Sequence, residues 1–233
     1  DSLARLLRFE KFEVETHYFV NDLGKQIAML VLATKDKENI QFSNLLSIYV
    51  DINKKVERDP LLEKEVLNLL HKIENGDKDI RNKFKEIVHV CIEGQKNIFS
   101  NMGINFDVFD YESNLVWNKN TDDALQKLKN TGKLFTDENG RGVLNLDEFK
   151  IATKSPVLVL TRADGTTLYP LRDIAYAIQK ASKNNDLNIT ILGEDQKVYA
   201  EQIEAACKLL NIKPPLHIHY SFVLLKGSKK MST

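Results

Sequence analysis

Cysteines and long apolar runs are scarce in this chain, and each scarcity argues against particular classes of protein. Only 2 of its 233 residues are cysteines, Cys91 and Cys207. Neither has a partner at CxxC spacing, which argues against a disulfide scaffold and a cysteine zinc site. No apolar run reaches the ~18 residues that a transmembrane helix requires. We therefore expect no membrane partner and a reducing, cytoplasmic compartment.

An excess of charge is also absent. Lys and Arg total 33, as do Asp and Glu, so the formal net charge is zero. This balance excludes a uniformly basic nucleic-acid binder, although not a local basic patch. The patterns GxGxxG and GxxxxGK[ST] are missing, so the dinucleotide-binding and P-loop signatures both fail. The hydrophobic content of 42% and charged content of 28% are typical of a globular chain.

The first half of the chain is predicted to be mainly helical. Asn21 and Asp22 are predicted to form a turn and helix cap before an apolar run at residues 27–33. A break at Asp59-Pro60 places proline at the first turn of a new helix. Predicted helices cover residues 1–9, 40–70 and 78–102, and predicted strands cover 12–20 and 104–109.

Strands and helices alternate in the second half. The predicted elements are a helix at 121–132, a hairpin at 133–146, strands at 157–160, 187–192 and 217–225, and helices at 172–181 and 195–210. The continuous apolar run at 157–160 is typical of a strand buried on both faces of a parallel sheet. The alternation predicts an α/β fold with a doubly wound parallel sheet and right-handed crossovers.

One segment has the partial spacing of a calcium-binding EF-hand loop. Asp137, Asn139 and Glu148 occupy ligand positions, and Gly142 occupies the turn. However, Arg141 stands where an oxygen ligand is needed. We therefore favour a plain hairpin turn over a calcium site.

Two histidines, His217 and His219, lie on one face of a predicted strand. They could form part of a metal site, but no carboxylate or cysteine is near them in sequence. Packing or hydrogen bonding is the favoured interpretation, and we predict no metal held by protein side chains.

The richest group of polar residues follows the predicted strands. Tyr169 and Asp173 are four residues apart and share a helix face. Gln196 follows the next strand, and Gly193 allows close approach of the backbone to a ligand. Open α/β sheets bind ligands beyond the carboxyl ends of their strands. Together a carboxylate, a phenol and an amide suit a planar cation such as guanidinium, while a surface aspartate and a capping glutamine remain the alternative.

Several segments resemble the motifs of class I arginyl-tRNA synthetases, in the expected order along nearly the whole chain. Residues 164–176, DGTTLYPLRDIAY, are similar to the family's signature segment, and 193–196, GEDQ, to its GxDQ element. The further matches are YFVNDLGKQ at 18–26, FDVFDYES at 106–113, and HYSF at 219–222 leading into KMST at 230–233.

The resemblance implies a chemistry and a set of roles. Arginine would attack the α-phosphorus of ATP, and the arginyl group would pass to the 3′ end of tRNA(Arg). Asp173 would pair with the guanidinium of L-arginine, Tyr169 would hydrogen-bond beside it, and Gln196 would orient the amino acid. Mg²⁺ would be held mainly through ATP phosphate oxygens. The implied ATP-binding residues are Gly193, Glu194, Asp195, Lys230, Met231 and Ser232, with Lys230 as the catalytic cation.

The resemblance also implies a domain organisation. Residues 1–39, 77–113 and 156–233 would form a Rossmann-type catalytic domain, with a helical insertion at 40–76 and a helix-hairpin insertion at 114–155. Because the HIGH motif and the anticodon-binding domain have no counterpart, we expect a fragment of a longer synthetase that is inactive alone.

Two alternatives remain open at this point. The chain could be a non-catalytic nucleotide- or tRNA-binding module derived from a class I synthetase. It could also come from another class I synthetase, such as the cysteinyl enzyme. A cysteine pocket would offer thiolate ligands to zinc, whereas an arginine pocket would offer Asp173 to a guanidinium.

Overall fold

The computed structural model describes residues 1–35, 37, 39–153, 156–183, 185–225 and 229–230. The chain forms two compact units, Asp1–Trp117 and Asn118–Thr233. No helix in these described ranges is long and apolar enough to cross a lipid bilayer. Both cysteines are free thiols in the structure.

The first unit is mainly helical. Its elements are α1 (Ser2–Phe9), β1 (His17–Val20), α2 (Lys25–Thr34), α3 (Phe42–Val56), α4 (Pro60–Glu74), α5 (Lys78–Asn101), β2 (Val108–Tyr111) and α6 (Glu112–Trp117). The predicted helices at 1–9, 40–70 and 78–102 are confirmed, including the break before Pro60. The short helix α6 was not predicted.

Local capping explains where α4 and α5 begin. The Asp59 carboxylate accepts the backbone N–H of Leu61 at 2.9 Å, one residue beyond Pro60 in the first turn of α4. The carboxylate of Asp77 accepts two backbone N–H groups at the start of α5, each at 3.1 Å. Such caps satisfy N–H groups that have no partner within the helix, and each contributes about 1 kcal/mol.

Helices α2 to α5 enclose the main core of this unit. Val66, Ile73 and Phe84 are almost completely buried within it. Burying a large apolar side chain contributes about 1.5–3 kcal/mol. The ring of Phe42 in α3 lies directly against Gly94 of α5, where a Cβ atom would stand 2.1 Å from the ring. The glycine therefore allows α3 and α5 to approach closely.

The parallel pair β1–β2 is shorter than its predicted strands. His17 lies opposite Val108, so β1 omits residues 12–16 and β2 begins four residues later than expected. The Nδ1 atom of His17 lies 2.6 Å from an oxygen of Asp110 on the neighbouring strand. Alternating residues indicate a strand, but its length depends on how far the partner strand runs alongside.

The predicted cap at Asn21-Asp22 is wrong. The N-cap of α2 is Gly24, and it makes no side-chain capping bond. The buried Asp22 carboxylate instead accepts the backbone N–H of Ser113 at 2.8 Å and its hydroxyl at 2.6 Å. A carboxylate suits both roles, and here a partner 91 residues away in the chain takes precedence over the local helix end.

The second unit combines a small antiparallel sheet with a parallel pair. Its elements are α7 (Asn120–Asn130), β3 (Leu134–Thr136), β4 (Gly142–Asn145), β5 (Val157–Val159), α8 (Tyr169–Ala181), β6 (Ile189–Gly193), α9 (Lys197–Leu209), β7 (Leu216–Tyr220), β8 (Leu224–Leu225) and β9 (Lys229–Lys230). A 3₁₀ helix, Glu194–Gln196, joins β6 to α9.

The predicted hairpin is confirmed, since β3 and β4 pair antiparallel with Leu134 opposite Leu144. The prediction that 157–160 forms a parallel strand is wrong. β5 pairs antiparallel with β4, and Val143 lies opposite Val159. Leu158 and Leu160 are buried, as the apolar run predicted. An apolar run reports burial, however, and not the direction of the neighbouring strand.

The strands β6 and β7 form a parallel pair, from Ile189 opposite Leu216 to Gly193 opposite Tyr220. Helix α9 runs between them in the chain and buries Ile203 and Ala206. The predicted single strand at 217–225 is two strands, because β8 turns away to pair antiparallel with β9. The parallel pairs and the many helices confirm the predicted α/β class.

Candidate active site

The segment before α8 is a tight polar turn. Gly165 has a φ of +81°, a left-handed conformation that glycine adopts without strain. The Asp164 carboxylate accepts the backbone N–H of Thr166 at 3.0 Å and its hydroxyl at 2.6 Å. The backbone N–H of Leu168 donates to the carbonyl of Leu160 at 2.8 Å. These bonds determine where the helix begins, at Tyr169.

A buried cation anchors the first turn of α8. The Nε atom of Arg172 donates to the hydroxyl of Thr167 at 2.9 Å, and its Nη2 donates to the Thr167 carbonyl at 2.7 Å. The Arg172 residue is only 6% exposed. Its role was not predicted from the sequence. Its hydrogen bonds tie the helix to the preceding turn and so fix the position of the neighbouring Asp173.

Tyr169 and Asp173 meet at a third residue, Tyr199 of α9. The Tyr199 hydroxyl donates a short hydrogen bond to Oδ2 of Asp173. The rings of Tyr169 and Tyr199 have their centroids 5.1 Å apart and are tilted by 53°. The sequence predicted that Tyr169 and Asp173 share a helix face, and the structure adds a second phenol, that of Tyr199, from the next helix.

The electrostatics of Asp173 reflect its partial burial. Loss of water raises the pKa of the Asp173 carboxyl above its usual value. The hydrogen bond from Tyr199 opposes this rise, and so do the positive charges of Lys180 and Arg172. Burial nevertheless dominates, so the ionised carboxylate gains from a further cation placed against it.

Gln196 lies one helical turn before Tyr199, at the end of the 3₁₀ helix that follows β6. Its side chain is exposed, and within the described ranges it forms no side-chain hydrogen bond. The structure therefore brings Tyr169 and Asp173 together through Tyr199. A common cleft that includes Gln196 stays a prediction.

The predicted ATP-binding residues Gly193, Glu194 and Asp195 lie at the carboxyl end of β6 and just beyond it. The ring Nδ1 of His219 lies 3.3 Å from the Gly193 carbonyl oxygen, to which it can donate. A Cβ atom at Gly193 would lie 2.6 Å from an oxygen of Asp195. Glycine at this position thus leaves room for the Asp195 carboxylate beside the turn. Glu194 and Asp195 are both exposed.

The predicted loop residues are described only in part. Lys230 belongs to β9, whose backbone pairs antiparallel with β8 so that Lys230 lies opposite Leu224. Met231 and Ser232 lie outside the described residues. Their roles at ATP stay predictions.

The two strand histidines make hydrogen bonds, in agreement with the favoured interpretation. His217 Nδ1 lies 2.8 Å from an oxygen of Glu204 in α9, and the two imidazole centroids are 6.3 Å apart. Across the part of the chain that the structure describes, no group of three or more His, Cys, Asp or Glu side chains could hold a metal ion. Glu204 is distant in sequence from the histidines, so the sequence pattern around them did not indicate this partner.

Sequence reasoning missed Tyr199 and Arg172. A faint signal exists for the tyrosine, because it lies three residues after Gln196 on a predicted helix and so shares its face. No comparable signal exists for the arginine, since its burial depends on the folding of the turn before it.

Comparisons with known proteins indicate the family that this chain resembles. The family model for the catalytic domain of class I tRNA synthetases (R) matches residues 1–233. An arginine–tRNA ligase of Methanocaldococcus jannaschii is 41% identical across the whole chain, and one of Methanothermobacter thermautotrophicus is 38% identical. The chain spans 42% and 41% of the length of these two relatives.

The fold is that of solved synthetases. Thermus thermophilus arginyl-tRNA synthetase superposes with a TM-score of 0.77 at 20% identity, over 100% of this chain and 45% of that one. The Plasmodium falciparum arginyl-tRNA synthetase superposes with a TM-score of 0.77 at 20% identity, over 97% of this chain and 39% of that one. At such identity these structures establish the fold, while the family match rests on sequence along the whole chain. The chain therefore belongs to the family of class I arginyl-tRNA synthetase catalytic domains.

Proposed function

We propose that the chain is part of an enzyme that activates L-arginine with ATP and transfers the arginyl group to the 3′ end of tRNA(Arg). In the first step an arginine carboxylate oxygen bonds to the α-phosphorus of ATP, and the bond to pyrophosphate breaks. In the second step the arginyl group passes to tRNA and AMP leaves. The observation that carries this proposal is the half-buried Asp173 carboxylate, which accepts the Tyr199 hydroxyl, together with the Tyr169 ring that packs against the ring of Tyr199.

Asp173 would pair with the guanidinium group of the substrate. A guanidinium is always protonated, and it presents donors in a planar fork that matches a carboxylate. The half-buried position strengthens such a pair, since water screens it less than at the surface. Tyr169 would bond beside this pair, and Gln196 would orient the amino acid through its amide.

The ATP side would use the carboxyl ends of the parallel pair. Gly193 and its neighbours Glu194 and Asp195 would line the nucleotide, where a glycine without Cβ lets the backbone come close. Lys230 would meet the negative charge that develops on pyrophosphate, and Met231 and Ser232 would flank it. Stabilising that charge is the main catalytic task, because the protein forms no covalent bond itself.

Magnesium would enter with the nucleotide. The described residues offer no cage of carboxylates or imidazoles, and Mg²⁺ commonly keeps several waters while it binds substrate phosphates. The ion would neutralise phosphate charge. The side chains proposed to bind ATP would orient the nucleotide around it.

The domain organisation and cellular location belong to the same proposal. Residues 1–39, 77–113 and 156–233 would supply the catalytic domain, with insertions at 40–76 and 114–155. The neutral net charge means that tRNA contacts would come from local patches. A cytoplasmic location is supported by the two free thiols.

Arginine-dependent exchange of pyrophosphate into ATP, measured on the complete protein, tests the proposal. We expect exchange with arginine and little with citrulline, which has nearly the same shape but carries no charge on its side chain. Exchange with lysine tests whether its ammonium group, a point charge, can replace the planar guanidinium group. Equal exchange with citrulline and arginine would contradict a charged pocket at Asp173, and ATP binding with no exchange for any amino acid would favour a non-catalytic module.

A further inference from the structure

Tyr199 stands outside every sequence motif described above. It is the third residue of α9 and is half-buried. Its hydroxyl donates to Asp173 of α8, and its ring packs against Tyr169 of the same helix. Both of these partners are proposed arginine-binding residues, and they lie at least 26 positions away in the chain.

We propose that Tyr199 is a positioning residue, which holds the Asp173 carboxylate and the Tyr169 ring in the orientation that receives the guanidinium group of arginine. This inference rests on the proposed function. It assigns to α9 a part in amino-acid selection that is separate from the role of Gln196.

Hydrogen-bond chemistry explains why a tyrosine suits this position. Each carboxylate oxygen has two lone pairs, so Oδ2 of Asp173 can accept from the Tyr199 hydroxyl and from a guanidinium at once. A bidentate pair needs the carboxylate plane to match the plane of the guanidinium. One hydroxyl bond removes rotational freedom from the carboxylate, and the carboxylate keeps its full charge for the ligand.

The charged groups around Asp173 act in the same direction. Arg172 is already bonded to Thr167. Lys180 lies farther along α8, and its ammonium stands 4.5 Å from the ring centroid of Tyr176. With the Tyr199 bond, both charges lower the pKa of the Asp173 carboxyl against the effect of burial. Tyr199 thus also helps to keep the carboxylate ionised when the site is empty.

Tyr199→Phe in the complete protein tests the inference, because it removes the hydroxyl and keeps the ring. We expect the arginine KM to rise about tenfold, the size typical of a hydrogen bond to a charged group. The kcat and the ATP KM should stay within about twofold, since the reacting atoms are elsewhere. Tyr49→Phe removes a phenol hydroxyl from α3 in the other unit and serves as the matched control.

A pH profile separates positioning from a structural role. The acid-side decline in arginine kcat/KM should move to higher pH in Tyr199→Phe, because the lost bond no longer stabilises the ionised carboxylate. Tyr199→Leu also removes the ring contact, so its arginine KM should exceed that of Tyr199→Phe. Carboxyl NMR of Asp173 reports the same shift without any substrate.

Distinct outcomes identify which idea has failed. An arginine KM for Tyr199→Phe within about twofold of the unmodified protein, with an unmoved acid limb, would overturn the positioning role. A fall in kcat for arginine accompanied by a fall in Tm would also overturn it, because the two together indicate a packing role. If the unmodified protein shows no arginine-dependent exchange, the proposed function fails instead, and the NMR titration still decides the contact between Tyr199 and Asp173.

Discussion

Two aspartates of the second unit meet their hydrogen-bond donors in contrasting ways. Asp137, at the hairpin turn, accepts Nε of Arg141 at 2.8 Å and lies 2.7 Å from its Nη2. Asp173, at the start of α8, accepts a neutral phenol from Tyr199. Among the described residues a guanidinium binds the first carboxylate, and we propose that a ligand supplies one to the second.

The pKa values of the two carboxyls move in opposite directions for this reason. The bonds from the Arg141 side chain and backbone hold the pKa of Asp137 below its usual value. Burial raises the pKa of Asp173, and its neighbours offset only part of the rise. A carboxylate that is satisfied internally stabilises the fold, whereas one that is desolvated and lacks such a guanidinium costs stability and can gain from a bound cation.

The largest expected difference between the two aspartates is catalytic. Asp173→Asn should lower the arginine kcat/KM of the complete protein about a hundredfold to several thousandfold, since breaking a buried charged pair costs about 3–5 kcal/mol. ATP binding should be nearly unchanged. Asp137→Asn is the matched control, with no expected change. Pyrophosphate exchange against arginine concentration measures both, and an effect below about threefold for Asp173→Asn would refute the guanidinium assignment.

A smaller effect is expected in the pH dependence. Arginine kcat/KM should decline on the acid side at a pH above the ~4 of an ordinary aspartate, because protonated Asp173 no longer attracts a guanidinium. The same decline should be missing from the ATP profile. Parallel acid limbs for arginine and ATP would assign the titration to another group.

The two substitutions should also change stability in opposite directions. The lowered pKa of Asp137 contributes stability that is present above the ordinary aspartate pKa and is lost as the pH falls through the folded value. The raised pKa of Asp173 means that the folded state binds more protons than the unfolded state does. Stability therefore falls as the pH rises from the ordinary aspartate pKa through the folded value.

At pH 7 Asp137→Asn should therefore lower the Tm, and Asp173→Asn should raise it slightly, because the amide oxygen of the introduced side chain can still accept the Tyr199 hydroxyl. Thermal unfolding of both variants at pH 7 provides the measurement. A fall in Tm for Asp173→Asn comparable to that for Asp137→Asn would contradict the contrast.

The smallest expected effect concerns calcium at the hairpin. The Arg141 guanidinium forms an ion pair with the Asp137 carboxylate, and the Glu148 carboxylate forms one with the Lys133 ammonium at 3.0 Å. We expect no calorimetric binding tighter than about 1 mM, the weak limit of natural loop sites. Arg141→Gln removes the competing cation and tests whether that cation alone prevents binding. A calcium dissociation constant tighter than about 1 mM in the unmodified protein would contradict the hairpin interpretation.

Short-range patterns predicted much of the fold and part of the site. The helix boundaries at Pro60 and Lys78 follow from carboxylates two or three residues from the N–H groups they cap. The hairpin around Asp137 follows from its turn residues. The spacing of Tyr169 and Asp173 follows from helical geometry alone. These features depend on residues a few positions apart, so the sequence by itself determined them.

Only the tertiary structure decided the contacts that join distant segments. It paired β5 antiparallel with β4, although an apolar run suits either direction. It gave the Asp22 carboxylate to Ser113, 91 residues away, and left Gly24 as the cap of α2. It also placed Tyr199 against Asp173. The physical reason is common to all three, because a polar or apolar side chain specifies the kind of partner it needs, and only the packing of whole elements determines which partner comes within reach.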